Sequence, residues 1–525
     1  MAFEINPSPR ATHGSRQWPG RNEAHEHFTK LVEKGQSVMD GQLTNCRPLK
    51  IGIVGAGIAG LYIALMLDDL GIPGLSYDIL EGSHRVGDKL NVPLVPFRYS
   101  GANTPEFFNG VLHIRDSQRS AEVDPFNFSV SRGGQVPDRC VYQEADGLLS
   151  EAIHPFTSAL AKEFNTGFQL LLQYDHYTLR QYLFERNLDA ATVAWIETMC
   201  SATGLVDYSL VDCVMDHFFF NYPAPNVKWY SVQNGSIGLI EAILSRVSHQ
   251  PERNKRVEAI HYERSTDSVK VQVQGETSTR DYTALCNGID LRELGLPPTQ
   301  TEAIRSLHYD HSVKIAIKFS YPWWAVHGRI VHGGAGKTDL PVRVCVYPKV
   351  KPVDYAKPAV LLCSYTWSQD AVRMGALVAE TSPEGEEQLV DLVLRNLAEM
   401  HGHCITLPEL QRAYMTHKSY DWARDPFATG AFVLNGPSQF MNLYPALIQP
   451  AANGRFYIVG EGASLSHGWV SGSLDSAYHG VYKLLRRFQL DDYCDTLRAR
   501  WGEGGLESLS RKKSEGDLMV ARFPH

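Results

Sequence analysis

The chain has 525 residues, 43% hydrophobic and 21% charged, enough for two or three domains that each bury a core. A formal net charge of −8 gives no electrostatic case for nucleic acid or an anionic membrane surface as partner. No apolar run is long enough to span a bilayer, so no transmembrane segment is expected.

Residues 1–47 are rich in polar residues, Pro and Gly and lack an apolar signal core, which reads as an arm with one helix over Asn22–Met39. Leu49–Val54 is then a compact β-branched run ended by glycine, the pattern of a short buried parallel strand. Gly55, Gly57 and Gly60 form G-x-G-x-x-G, and Ile58–Leu70 follows at helical spacing and stops at Gly71. A second short strand, Leu75–Leu80, ends at Glu81, about 20 residues after Gly60, the distance that a dinucleotide fingerprint requires. Gly55 makes the tight turn, Gly57 lets the backbone approach a pyrophosphate, and Gly60 lets helix and strand pack closely. The helix N-terminus supplies donors and a positive dipole end, and Glu81 accepts from a ribose.

Further along, residues 147–226 read as mostly helical, with helices expected over Ser158–Leu172, Thr178–Asn187 and Ala190–Ser201. Lys255–Ile260 and the alternating Ser268–Val273 suggest a hairpin. Val313–Phe319, Val342–Val346 and Val360–Tyr365 read as strands, with a helix over Gly385–Met400. Arg455–Gly460 is another strand; it ends in Gly460-Glu461, and a helix follows over Ser473–Arg487. That second strand–Gly-Glu–helix arrangement suits a return visit of the chain to one cofactor. The nine cysteines are an odd number without a Cys-x-x-Cys pair, which favours free thiols in a reducing compartment, and the cytoplasm is the expected location.

These motifs, in order, resemble the flavin-dependent amine oxidases and, within them, the L-amino-acid oxidases. The segments that carry the likeness are the glycine fingerprint with Glu81 and Arg85, Val257 in Lys-Arg-Val, Ser312–Phe319, Ser364–Ala371, Trp422 through Gly430-Ala-Phe432 to Phe440, and Gly460–Gly472. The resemblance implies an α/β fold, α+β overall, with a Rossmann-like FAD domain built from discontinuous segments. Those segments are residues 48–146, 227–300 and 425–490. It further implies a helical insertion over 147–226, a strand-rich substrate domain over 301–424 and a C-terminal tail over 491–525.

The resemblance also implies roles. Lys314, expected to hold a water where reduced flavin meets oxygen, and Trp469 are the catalytic candidates. Gly55, Gly57, Gly60, Glu81, Arg85, Val257, Trp422, Gly460, Glu461 and Val470 are the FAD candidates. Tyr365, Trp367, Phe432 and Gly468 are the substrate candidates. Segment 460–472 contains no Cys, so FAD is expected without a covalent bond. No metal is implied; the partners are a small amine or amino acid and O2, and a homodimer stays open as the assembly.

The pattern departs from the family after Arg85. A Gly-Gly-Arg turn and a later Gly-x-Met-Arg segment, whose arginine grips a substrate carboxylate, are replaced by Val86-Gly-Asp88-Lys89 running almost directly into Pro93. Asp88 beside a pyrophosphate is electrostatically unfavourable, and Arg98 is a candidate stand-in for the missing guanidinium. Three readings follow: oxidation of an L-amino acid, bulky or aromatic given Trp367 and Phe432; oxidation of an amine without a carboxylate; or a degenerate flavoprotein scaffold. A nicotinamide dehydrogenase fits less well, because the Gly460-Glu461 return belongs to FAD architecture.

Overall fold

The computed structural model describes residues 48–83, 94–96, 101, 103–114, 124–201, 203–221, 230–232, 237–286, 294–378 and 383–502. The helix expected over Asn22–Met39, Arg85, Asp88 and Arg98 lie outside them.

A parallel sheet runs in the order Phe456–Tyr457, Ala284–Cys286, Leu49–Val54, Leu75–Leu80. Its two N-terminal strands pair from Leu49 opposite Leu75 to Val54 opposite Leu80, with helix Ile58–Leu70 crossing between them. Ile51, Ile53, Leu61 and Met66 share one core with Ala477 and Leu484 of helix Val470–Arg487. That helix begins three residues before the expected Ser473. Leu497 of a further helix, Asp491–Trp501, belongs to the same core, so the first part of the expected tail is packed structure. The hairpin expected around residue 265 is present as Val257–Glu263 and Ser268–Val273.

The second sheet has seven strands, in the order Tyr414–Asp421, Ser312–Phe319, Ala359–Trp367, Val344–Tyr347, Gly334–Thr338, Pro105–Phe108, Val111–Ile114. Most neighbours are antiparallel, but Gly334–Thr338 takes Pro105–Phe108 as a parallel partner. Successive side chains of a strand point to opposite faces. Accordingly Val313, Ile315, Ile317 and Phe319 are fully buried in a core shared with Leu389, Val393 and Leu397 of helix Pro383–Met400. Lys314 and Ala316 lie on the other, more open face.

The helical region has its own core, with Phe156, Phe168, Leu183, Ile196 and Val214 buried and Phe440 reaching in from later in the chain. The first helix differs from expectation. Ala145–Lys162 passes through Pro155, and a second helix, Phe164–Leu172, starts afresh. The break is at Glu163, whose extended backbone and carboxylate cap the new helix by accepting from the Asn165 and Thr166 N–H groups. Cys140, Cys200, Cys213, Cys345, Cys363, Cys404 and Cys494 are free thiols, and among the described residues no helix is long and apolar enough to cross a membrane.

Candidate active site

A cleft of about 910 Å³ opens at the carboxyl ends of the parallel strands, lined on that side by Gly55, Gly57, Gly60, Glu81, Val257 and Gly460. Gly55 turns the chain with φ +98°, which favours glycine. A Cβ on Gly60 would lie 2.1 Å from the Gly55 carbonyl oxygen, so only glycine allows this approach of helix to loop. Helix Ile58–Leu70 has no side-chain cap and no acidic residue in its first turn, and a Cβ on Gly57 would meet nothing within 4 Å. The first-turn N–H groups, which lack intrahelical acceptors, therefore sit under an open approach. Glu81 accepts from the Ala56 N–H at 2.8 Å and the Ser83 N–H at 2.7 Å, which fixes its carboxylate on the turn.

The opposite wall comes from Glu386 of helix Pro383–Met400, His417 and Tyr420 of strand Tyr414–Asp421, and Arg424 and Phe427 in the segment after that strand. His417 Nε2 lies 2.7 Å from the Glu386 carboxylate, which also accepts from Ser419 Oγ at 2.8 Å. Sequence reading singled out none of these residues. Sheet pairing and helix packing assemble them, and no local motif carries that information.

On the open face of the same sheet, Lys314 stands directly opposite Tyr365 on one side and Tyr420 on the other. Its Nζ lies 4.6 Å from the centre of the Tyr365 ring, a cation–π contact. Desolvation by burial lowers the Lys314 pKa. Each tyrosine meets a tryptophan two residues on: Tyr365 with Trp367 and Tyr420 with Trp422, both at 4.7 Å between ring centres and 66° between planes. Lys314 thus lies between two aromatic pairs.

The segment after the Phe456–Tyr457 strand is held from several directions. Gly460 has φ +124°, and the Glu461 carboxylate accepts from the Val433 N–H at 3.1 Å and the Gly468 N–H at 2.8 Å. Burial raises the Glu461 carboxyl above its ordinary value, while His467 and these N–H groups pull it down. His467 Nδ1 lies 2.7 Å from Asp212, and the Trp469 indole N–H donates to Asp216 at 3.0 Å. Gly468 has φ +76°, and the nearest atom to a Cβ built there is Phe432 Cγ at 3.9 Å, so these two candidates are brought together. Val470 is half exposed at the first turn of its helix. Lys314, Tyr365, Trp367, Phe432, Glu461, Gly468, Trp469 and Val470 are not part of the cleft lining at the glycine turn.

Residues 96–484 match the family described as "Flavin containing amine oxidoreductase". The chain belongs to that family. A Dictyostelium discoideum protein named "Putative bifunctional amine oxidase" is 32% identical over 90% of this chain, which spans about half (49%) of that relative's length. L-amino-acid oxidase 4 of Hebeloma cylindrosporum is 29% identical, over 89% of this chain and 87% of its own. Among solved structures, a putrescine oxidase redesigned in its cofactor binding aligns with 84% of this chain and 99% of its own at a TM-score of 0.61. At 15% identity that likeness shows the fold.

FAD is the cofactor of this flavoprotein family, and the glycine turn fits it: Gly60 cannot carry a Cβ, whereas Gly57 lies open above an uncapped helix start. Gly60→Ala should therefore weaken FAD binding about tenfold or more, since overpacking of this kind costs about 1–3 kcal/mol. The measurement is flavin absorbance per protein after gel filtration against a dilute FAD series. Undiminished affinity would count against the turn as the pyrophosphate cradle.

Proposed function

We propose that this amine oxidase oxidatively deaminates an L-amino acid with a bulky or aromatic side chain, giving the keto acid, ammonia and hydrogen peroxide. The observation that carries the reading is Lys314 set between the Tyr365–Trp367 and Tyr420–Trp422 pairs on one sheet face. The likeness to the Hebeloma relative over nearly its whole length supports it.

FAD, when bound, supplies the two-electron acceptor for the substrate's α-C–H and is restored by O2. The chain does the rest by orientation. Gly55, Gly57, Gly60, Glu81 and Val257 would hold the pyrophosphate and adenosine end, a role the resemblance extends to Arg85, and Gly460, Glu461 and Val470 would hold the ribityl and ring end. Trp422 would pack beside the bound flavin ring. Trp367 and Phe432 wall the space for the side chain, Tyr365 offers its O–H to the substrate carboxylate, and Gly468 and Trp469 face the substrate. Lys314 holds a water by N–H donation and stabilises charge that develops on oxygen.

The shortened stretch after Asp88 favours a second reading, an amine substrate without a carboxylate. The two separate on the ratio of kcat/KM for L-phenylalanine and its decarboxylated amine, phenethylamine. A single neutral O–H from Tyr365 cannot neutralise the carboxylate, and a hydrogen bond to a charged group contributes about 1.5–3 kcal/mol. The amino acid should then lead by about one or two decades, and Tyr365→Phe should remove most of that lead. A lead for the amine would establish the second reading. A lead for the acid beyond about four decades, abolished by Arg98→Ala, would make Arg98 the carboxylate anchor.

A further inference from the structure

Three consecutive residues, His467, Gly468 and Trp469, are each held by a different carboxylate. Glu461 takes the Gly468 N–H from within the same loop. The other two carboxylates come from far away in the sequence, on helix Leu210–Asn221 of the helical region. Asp212 and Asp216 stand one turn apart on that helix and therefore share a face. Asp212 takes His467 at 2.7 Å and Asp216 takes the Trp469 indole N–H at 3.0 Å. Phe220, one further turn along, meets the Trp469 ring edge-on with centres 6.2 Å apart. The indole is thus fixed at its polar tip and along one edge by the same helix.

We propose that Asp216 is a positioning residue for the flavin site: by anchoring the Trp469 indole N–H to helix Leu210–Asn221, it sets the plane in which that ring faces substrate and cofactor. The proposal rests on the reading of Trp469 as a residue of the substrate side. Without the anchor the indole keeps its apolar packing against the helical core and its edge contact with Phe220, but loses the hydrogen bond that fixes its polar tip. The helical region would then act on the reaction without contributing a group to it. Asp216 is exposed at the surface of the helical region. Desolvation raises its carboxyl pKa, the Trp469 N–H lowers it and Asp212 raises it.

The test uses the full-length holoenzyme and the variants Asp216→Ala, Asp216→Asn, Trp469→Phe, Trp469→Ala and the double variant Asp216→Ala/Trp469→Phe. The readouts are visible-region circular dichroism of the bound flavin, and the rate and saturation of anaerobic flavin reduction by L-phenylalanine. Asp216→Ala should alter the flavin dichroism and slow reduction about tenfold or more with little change in KM, since a misplacement of about 1 Å costs on the order of 10²-fold. Trp469→Phe, which lacks the indole N–H, should do the same, and the double variant should be no worse than either single one. Asp216→Asn keeps an acceptor oxygen and should recover most of the rate. Additive losses in the double variant would overturn the proposal, as would an Asp216→Ala enzyme with unaltered dichroism and rate. If Trp469→Ala itself changes neither readout, the placement of Trp469 on the substrate side fails and the proposal falls with it. If Trp469→Ala changes both and Asp216→Ala changes neither, the anchoring alone is refuted.

Discussion

Replacing Lys314 by methionine should slow the reaction of reduced enzyme with oxygen by about 10²–10³-fold, while anaerobic reduction by substrate stays near its original rate. Methionine keeps much of the side chain's length and removes its charge and its N–H donors. The fold prepares that charge in advance: Lys314 sits between Tyr365 and Tyr420 and desolvation lowers its pKa. Its effect belongs to the oxygen half-reaction, in which negative charge develops beside it. The same substitution should raise thermal stability, because a partly buried, desolvated ammonium is removed. The sign follows from the direction of the shift: a lysine whose pKa is depressed by folding destabilises the protein fully below that depressed value. The penalty vanishes as the pH rises toward the ordinary lysine value near 10.4. The gain in Tm should therefore shrink in alkaline buffer. Stopped-flow traces with both half-reactions unaffected would refute the assignment of Lys314.

Asp212→Ala should destabilise the protein by about 3–5 kcal/mol, the usual loss when one partner of a buried ion pair is removed. Asp212 and His467 are both buried, and Asp212 also accepts from the Asn435 N–H. Desolvation pulls the His467 pKa down, but Asp212 and Glu461 outweigh it, and the net shift is upward. A histidine raised by folding contributes stability in full below its ordinary value near 6.5 and loses it as the pH rises through the raised value. The defect in Asp212→Ala should accordingly be larger at pH 6 than in alkaline buffer, as read from denaturant unfolding at matched flavin content. A pH-independent defect would show that His467 is not the titrating partner. A loss below about 1 kcal/mol would show that the pair contributes little.

The parts of this molecule legible in the sequence are those specified by neighbouring residues. The turn from Leu49 to Glu81 is one: strand, glycines, helix and second strand each bear their own local signature, and the folded ranges Leu49–Val54, Ile58–Leu70 and Leu75–Leu80 are those expected. The alternation around Lys314 is another, because period-two burial is written in residues 312–319 themselves. What could not be read is whatever depends on register between distant strands or on packing between distant helices. Tyr420 reaches Lys314 through strand pairing across more than a hundred residues, and Asp216 reaches Trp469 across 253. Glu461 is legible as a carboxylate beside a glycine, but its binding of Val433 and Gly468 is not. The break at Glu163 shows the opposite limit. The capping signal was local, yet a long apolar periodicity over Ser158–Leu172 masked it.

The parallel pairing of Gly334–Thr338 with Pro105–Phe108 sets the order in which the newborn chain can be completed. A ribosome that has made residue 108 must add more than two hundred further residues before the partner strand exists, roughly 10–45 s at about 5–20 residues per second. Leu49–Val54 finds Leu75–Leu80 early, but its other neighbour, Ala284–Cys286, is made about two hundred residues later and in turn awaits Phe456–Tyr457. For that interval several β-rich segments have unpaired edges and uncovered apolar faces, the condition under which nascent chains associate with one another. Slower growth temperature and abundant chaperone should therefore improve the yield of this protein more than any change to its finished surface.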